Sequence, residues 1–409
     1  MTRAQDRVTT GGPAIGTTAW RRAAAAMFAC GWGGNQFTPL LVMYREAGYS
    51  VVTVDALLGA YVVGLVPGLL LAGRLSGRYG RKPVMLAGTA LSLVASVLLA
   101  VGAVTPVAIA VGRLLTGVAV ATAMAVGTTW VTELSRADPQ ASPGAGARRA
   151  ALWLTLGFGT GPGVAGVLAQ WGPWPMVLPY IVHVGVAAIA LLLLRRSPET
   201  SGGAVPRAGN RYAGARHPRF RRVITPMAPW IFGSSGVAYA IMPQVVGDRL
   251  GSWGLAYSTL LTVCTLGAGA LVQPLAKRLD RTTSARAVLV SMIVMSTGLA
   301  LSALAAALRQ PLLALGTAIV LGAAYGIAVV SGLLELQRLA RPEELADLTG
   351  LYYALAYLGF LLPSLLAVLS GLAGYTALLC ALAIVALTGT AVIMRHSRNH
   401  LPGDAALAD

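Results

Sequence analysis

Twelve long apolar runs, separated by short polar or basic turns, constrain this chain more than any other feature. They cover residues 20–44, 55–73, 84–103, 106–130, 149–170 and 175–194, then 223–246, 254–276, 287–307, 312–335, 346–370 and 373–394. Crossing the hydrocarbon of a bilayer takes about 20 apolar residues at a helical rise of 1.5 Å each, so each run reads as a transmembrane helix. The chain is 56% hydrophobic and 11% charged, against roughly 25% charged in an average soluble domain. A water-soluble fold has too little interior to hide that much apolar surface.

The net charge of +17 raises the question of nucleic-acid binding, but the basic residues sit in turns between spans and form no stripe. Twelve spans place both termini on one side. That side, counted over alternate loops and both tails, carries 27 of the 31 Lys and Arg residues. Only Arg45, Arg249 and Arg309 fall on the other side, and Arg113 lies inside span four. Cytoplasmic loops concentrate positive charge, so the termini are expected in the cytoplasm of a cell with a bacterial-type plasma membrane. Cys30, Cys264 and Cys380 lie far apart within apolar runs, so neither a disulfide framework nor a metal motif is expected. No cofactor is implied.

The longest polar stretch, 195–222, holds eight arginines among Gly, Pro and Ser. It reads as a solvated linker dividing two six-span halves. The expected organisation is a cytoplasmic tail at 1–19, a bundle at 20–194, the linker at 195–222, a second bundle at 223–394 and a tail at 395–409. The halves echo each other: RRAAAAM at 21–27 with RRVITPM at 221–227, TELSR at 132–136 with LELQR at 334–338, and LGFGTGP at 156–162 with LGFLLP at 358–363. The matches occur in order and at nearly constant offset, as in a duplicated six-span unit.

The turn after span two reads GRLSGRYGRKP, residues 73–83. Its glycines permit a tight turn and its cations hold it at the cytoplasmic surface. In this position it resembles the loop signature of the major facilitator superfamily, roughly G-x-L-a-D-R-x-G-R-K/R. Gly73, Leu75, Arg78, Gly80, Arg81 and Lys82 fit, whereas Gly77 stands where the family has an acid. The resemblance implies that this loop latches one conformational state, with Glu133 as a substitute partner for Arg78. AVGRLLTGVAVA at 110–121 is similar to the family's fourth-span motif, with Arg113 buried and Gly117 four residues on. GFGTGPGVAG at 157–166 resembles the fifth-span motif of the antiporters; Gly157, Gly161, Pro162 and Gly166 match, and Ala165 replaces a glycine.

The resemblance implies an all-α fold of twelve transmembrane helices in two pseudo-symmetric six-helix bundles. It implies a cavity lined by spans one, four, seven and ten, with help from two, five, eight and eleven. Candidate substrate contacts are therefore Asn35, Gln36, Arg113, Tyr239, Gln244 and Tyr325, with Tyr353 and Tyr357 on one helix face at i, i+4. Arg113 lies about 12 Å deep at standard rise, a depth the amides of Asn35 and Gln36 share. A buried guanidinium costs about 2.5–3.5 kcal/mol on insertion scales and needs partners. No acid lies in mid-span; Asp55, at the outer end of span two, is the leading coupling candidate and also a natural N-cap. His183, the one histidine within a span, reads as a buried structural group.

The resemblance implies a secondary transporter working by alternating access in the lipid bilayer, expected as a monomer carrying a small-molecule substrate with protons as coupling ion. Efflux of a hydrophobic or drug-like compound is the leading expectation, and a sugar or organic-solute permease the alternative. A membrane enzyme would need a cluster of nucleophiles or metal ligands, and a sensor would carry a soluble domain; neither pattern occurs in the sequence. The topology has a direct test. In intact cells an impermeant thiol reagent should miss a cysteine placed at 210 and reach one placed at 251; the reverse would void the arginine argument.

Overall fold

The computed structural model describes residues 16–102, 105–142, 144–200, 213–341, 344–399 and 401. Among these the secondary structure is helical, apart from an isolated bridge between Arg281 and Ser284 in a turn. Among the described residues ten segments are long and apolar enough to cross a membrane: Val51–Tyr79, Arg81–Val101, Pro106–Ser135, Ala145–Trp171, Leu178–Arg195, Gly251–Leu279, Arg286–Leu308, Pro311–Leu339, Asp347–Leu369 and Tyr375–His396. They are spans two to six and eight to twelve.

The first and seventh spans, in corresponding places of the two halves, are helical but broken. The first runs Ala19–Asn35, turns, and resumes as a short helix Leu41–Glu46. The sequence suggested one helix over 20–44. Gly31, Gly33 and Gly34 weaken the helix before the break, and Pro39 biases Thr38 away from helical geometry. The seventh passes through π-turns at Phe220–Ile224 and Val237–Ile241 around the helix Thr225–Gly236. The second π-turn lies just before Pro243, whose ring and missing N–H disturb the turn holding the Tyr239 carbonyl.

Two sequence expectations are corrected here. Span two starts at Val51, capped by the Ser50 hydroxyl, which accepts from the Thr53 amide at 3.1 Å. Asp55 is therefore in the second turn of the helix and is not its N-cap. Residues 195–222 are not all solvated linker either, because Arg219 and Phe220 are already buried where span seven begins. Position 210 and the rest of 201–212 lie outside the described residues.

Lipid is as apolar as a leucine side chain, so helices in a membrane associate through close packing rather than hydrophobic burial. Glycines provide it at matching places in the two halves. In the first half, Gly157 and Gly161 let span five lie against the backbone of span one at Phe28 and Trp32. In the second, Gly359 does the same for span eleven against Pro229 and Gly233 of span seven. Gly64 and Gly117 bring spans two and four together, as Gly322 and Gly326 do for spans eight and ten. Spans three and six, like nine and twelve, complete each bundle. The bundles meet along span two against eleven and span five against eight.

A methyl group at Gly117 would overlap the Tyr61 carbonyl oxygen, whereas one at Gly73 would meet nothing within 4 Å. Overpacking of this kind costs about 1–3 kcal/mol. Gly117→Ala should therefore lower the thermal unfolding temperature in detergent and Gly73→Ala should not; equal melting of the two would refute the close-crossing argument.

Candidate functional site

Aromatic side chains fill the seam between the bundles. Phe232 of span seven stacks on Tyr357 of span eleven at 4.0 Å between ring centroids and lies 5.3 Å from Phe360 and 5.6 Å from Tyr325. Tyr61 of span two reaches across from the first half to Tyr357 at 6.0 Å and Phe360 at 5.9 Å. Tyr239 closes the group, 6.3 Å from Phe360. The Tyr357 hydroxyl donates to the Met124 sulfur at 3.6 Å. Tyr353, one turn before Tyr357 on the same helix face, packs beside Tyr352, whose hydroxyl donates to the carbonyls of Ala328 and Val329.

Next to this cluster Arg113 is buried at the crossing of spans one, two and four. Its guanidinium donates to the carbonyls of Gly34 at 3.2 Å, Leu57 at 3.4 Å and Leu58 at 3.5 Å, and lies over the rings of Phe37 and Tyr61 at 4.7 and 4.8 Å. No salt bridge to Arg113 is found among the described residues. Gly34 is in the last turn of the first helix, where carbonyls lose their helical partners and carry the negative end of the dipole. The break in span one thus supplies partners that the cation requires.

The expected amide contacts to Arg113 do not form. Asn35 Nδ2 donates to the Phe158 carbonyl at 3.4 Å. That carbonyl stands four residues before Pro162, which has no N–H to offer it, so the proline of the fifth-span motif leaves an acceptor for span one. Gln36 Nε2 turns toward span three and donates to Ser96 Oγ at 3.0 Å. Ser96 lies 2.6 Å from His183 Nδ1, and His183 Nε2 lies 2.8 Å from the Ala29 carbonyl. A carbonyl only accepts, so Nε2 carries the proton and Nδ1 accepts from Ser96.

A second polar group lies at the arginine-poor end, where the bundles are in contact. Asp55 is fully buried and accepts from Arg45 Nη2 at 2.8 Å and from Gln244 Nε2 at 3.1 Å. Gln244 belongs to span seven, and its Oε1 accepts from the Tyr375 hydroxyl at 2.9 Å. Ser364 Oγ donates to the Asp55 main-chain carbonyl at 2.6 Å. One residue of span two thereby meets spans seven and eleven. At the same end Gln170 bonds the backbone of Ser252 and Ala256, and Trp171 meets Trp253 edge to face.

At the basic end the loop after span two is arranged differently from the expectation. Arg81, not Arg78, pairs with Glu133, at 3.1 Å; Arg78 lies over the Tyr79 ring. The carboxylate of Glu199, just after span six, accepts from the amides of Arg81 and Lys82, both at 2.9 Å, at the start of span three. Gly80 makes the turn at φ +98°, a conformation that favours glycine. A methyl group on Gly77 would meet nothing within 4 Å. In the second half Glu335, the repeat counterpart of Glu133, takes Arg219 through two bonds of 2.6 and 2.9 Å. In the turn after span four, a hydrogen bond from Arg149 holds the carboxyl of Asp138 below the usual carboxylate range.

The sequence model of the Major Facilitator Superfamily matches residues 23–364. The chain belongs to the major facilitator superfamily. Solved structures agree on the fold. The nucleoside transporter NupG superposes with a TM-score of 0.72 at 14% identity, covering 93% of this chain and 99% of that one. Its D323A mutant gives 0.73 over the same shares, again at 14% identity. A D-xylose–proton symporter gives 0.70 at 14% identity, over 92% of this chain and 96% of that one. No curated protein sequence matches the chain closely enough to count as a relative. This superfamily member is a multi-pass membrane transporter.

Of the candidate residues named from the sequence, Tyr239, Tyr325 and Tyr357 enter the aromatic cluster, Gln244 and Asp55 form the far-end contact, and Arg113 lies between. Tyr61, Phe232 and Phe360 were missed. Only Phe360 carried a signal, as the repeat counterpart of Phe158. Arg113→Lys keeps the charge but loses the planar fork that spans three carbonyls. Both Arg113→Lys and Arg113→Ala are expected to insert normally and to lose most transport in vesicles. Parental transport by Arg113→Ala at equal expression would make the residue dispensable.

Proposed function

We propose that this transporter carries a small, uncharged organic solute with a flat or ring-shaped face, of sugar or nucleoside size, by alternating access between its two bundles. The observation that carries the reading is the aromatic cluster at the seam. Its rings offer stacking faces, and the hydroxyls of Tyr61, Tyr239, Tyr325 and Tyr357 offer hydrogen bonds, with no carboxylate among the clustered side chains. The Arg113 guanidinium over the Tyr61 ring already places a positive charge beside the cluster, so a neutral solute suits it better than a cation. The substrates in the names of the similar structures, a nucleoside and D-xylose, are candidates of this class; at 14% identity they share the fold alone.

A second reading is proton-driven efflux of lipophilic compounds. The fifth-span motif favours it: Gly157 and Gly161 seat span five on span one, and a methyl at Gly166 would overlap Thr259 of the opposite bundle. In both readings the protein works as a monomer in the plasma membrane with its basic end in the cytoplasm, and protons are the proposed coupling ion.

Counterflow in proteoliposomes with labelled nucleosides, pentoses and lipophilic dyes separates the two. The expected outcome is exchange of a ring-shaped neutral solute, with half-saturation raised several-fold in Phe232→Ala and Tyr357→Ala, since aromatic pairs contribute about 0.5–1.5 kcal/mol beyond area. Movement of dyes alone, driven by an imposed pH gradient, would favour efflux instead.

A further inference from the structure

Gln244 and Tyr375 do more than brace Asp55. With Val245, Ala306, Arg309 and Thr376 they line a pocket of about 340 Å³. Arg309 and Thr376 are exposed, so the pocket opens at the arginine-poor face. The buried carboxylate is therefore one side chain away from solvent on that face. We propose that Asp55 is a proton-binding site served from the far face through this pocket, and that its charge decides whether the far end of the transporter is latched. The inference rests on alternating access but on no particular solute.

The groups facing Asp55 from neighbouring elements set the sign. Arg45, on the short helix after the break in span one, supplies the positive charge at 2.8 Å. Gln244 of span seven supplies an amide donor, and Tyr375 of span twelve fixes that amide. Ser364 of span eleven engages only the main-chain carbonyl. Arg113 of span four is spent on the carbonyls of Leu57 and Leu58. Around the pocket mouth Asp248 is paired with Arg309 at 3.1 Å and Arg249 at 4.0 Å.

The ionised carboxylate thus joins the two bundles through charge-assisted bonds, which are the strong ones. Protonation removes the charge that Arg45 requires while Arg45 keeps its own, at a position with little water. Separation of the bundles at this end relieves that, because water then reaches Arg45. Acid on the far face opens the latch and neutral pH closes it. In both positions Asp55 communicates with the same side. The proton returns where it came from, so Asp55 senses pH on that face and carries no proton across. This departs from its expected part as the coupling residue.

The test is electron–electron double resonance between spin labels at Val107→Cys and Leu312→Cys, exposed at the far ends of spans four and ten. Cys30, Cys264 and Cys380 are replaced by serine, and the protein is reconstituted with its far end outward. Lowering the external pH from neutral to acidic should lengthen the distance, and acidifying only the interior should not. Asp55→Asn should show the long distance at neutral pH with no further response. If that variant does not reconstitute, Tyr375→Phe, which keeps the carboxylate but frees Gln244, should open at a higher external pH than the parent. A parent distance indifferent to external pH, a response to internal pH, or an Asp55→Asn protein that stays closed would each overturn the proposal. The readout uses no solute, so a flat response leaves the solute reading standing, and an unresponsive solute panel leaves the latch standing.

Discussion

Close backbone contact at glycine is the constraint on which the rest of this structure depends. Within a bilayer no hydrophobic force draws one helix to another, and packing must hold the bundle. A glycine removes the Cβ that keeps two helices apart, so its position sets where they cross and how the side chains around the crossing are aimed. Gly117 and Gly64 bring span two onto span four, and that crossing places Tyr61 beside Arg113. Gly359 brings span eleven onto span seven, next to the ring stack of Tyr357 and Phe232. In each half the glycine crossing and the rings beside it lie on the same helices.

A broken helix in a membrane exposes carbonyls that water cannot reach, and each needs another donor. Here the donors are side chains that otherwise look misplaced in hydrocarbon. Arg113 takes the Gly34 carbonyl at the end of the first helix, and Asn35 takes the Phe158 carbonyl released by Pro162. A guanidinium without a carboxylate partner is therefore less anomalous than its burial suggests. It is held by several main-chain dipoles and two aromatic faces, which share out its charge.

Much of the fold was legible in the sequence because membrane helices announce themselves by length and the repeat by its offset. LGFGTGP and LGFLLP align, and the glycines they share make equivalent crossings. What the sequence did not reveal were facings within a helix. Asn35 and Gln36 are adjacent and of similar chemistry, yet they point to spans five and three. Arg78 and Arg81 both fit the loop pattern, and only helix geometry decides that Arg81 meets Glu133. The helical period over a uniformly apolar run has no polar face to orient it, so Tyr61 and Phe232 were indistinguishable from packing residues. The missing loop acid at Gly77 gave no hint that Glu199, more than a hundred residues on, would engage the same turn.

The two ends of the molecule use charge in opposite ways. At the basic end the ion pairs seen among the described residues stay within a bundle: Arg81 with Glu133, and Arg219 with Glu335 and the backbone at Ser397 and Asn399. The pair of Arg338 and Asp280 ties the turn after span eight to the end of span ten. Bonds of this kind make each half rigid without joining it to the other. At the far end Asp55 draws on both halves at once, through Arg45 on one side and Gln244 on the other. A rocking motion of two rigid bodies leaves the first set intact and must break the second. The Asp55 contact is therefore a natural place for control, because its release costs one carboxylate its partners and disturbs none of the crossings that hold the bundles together.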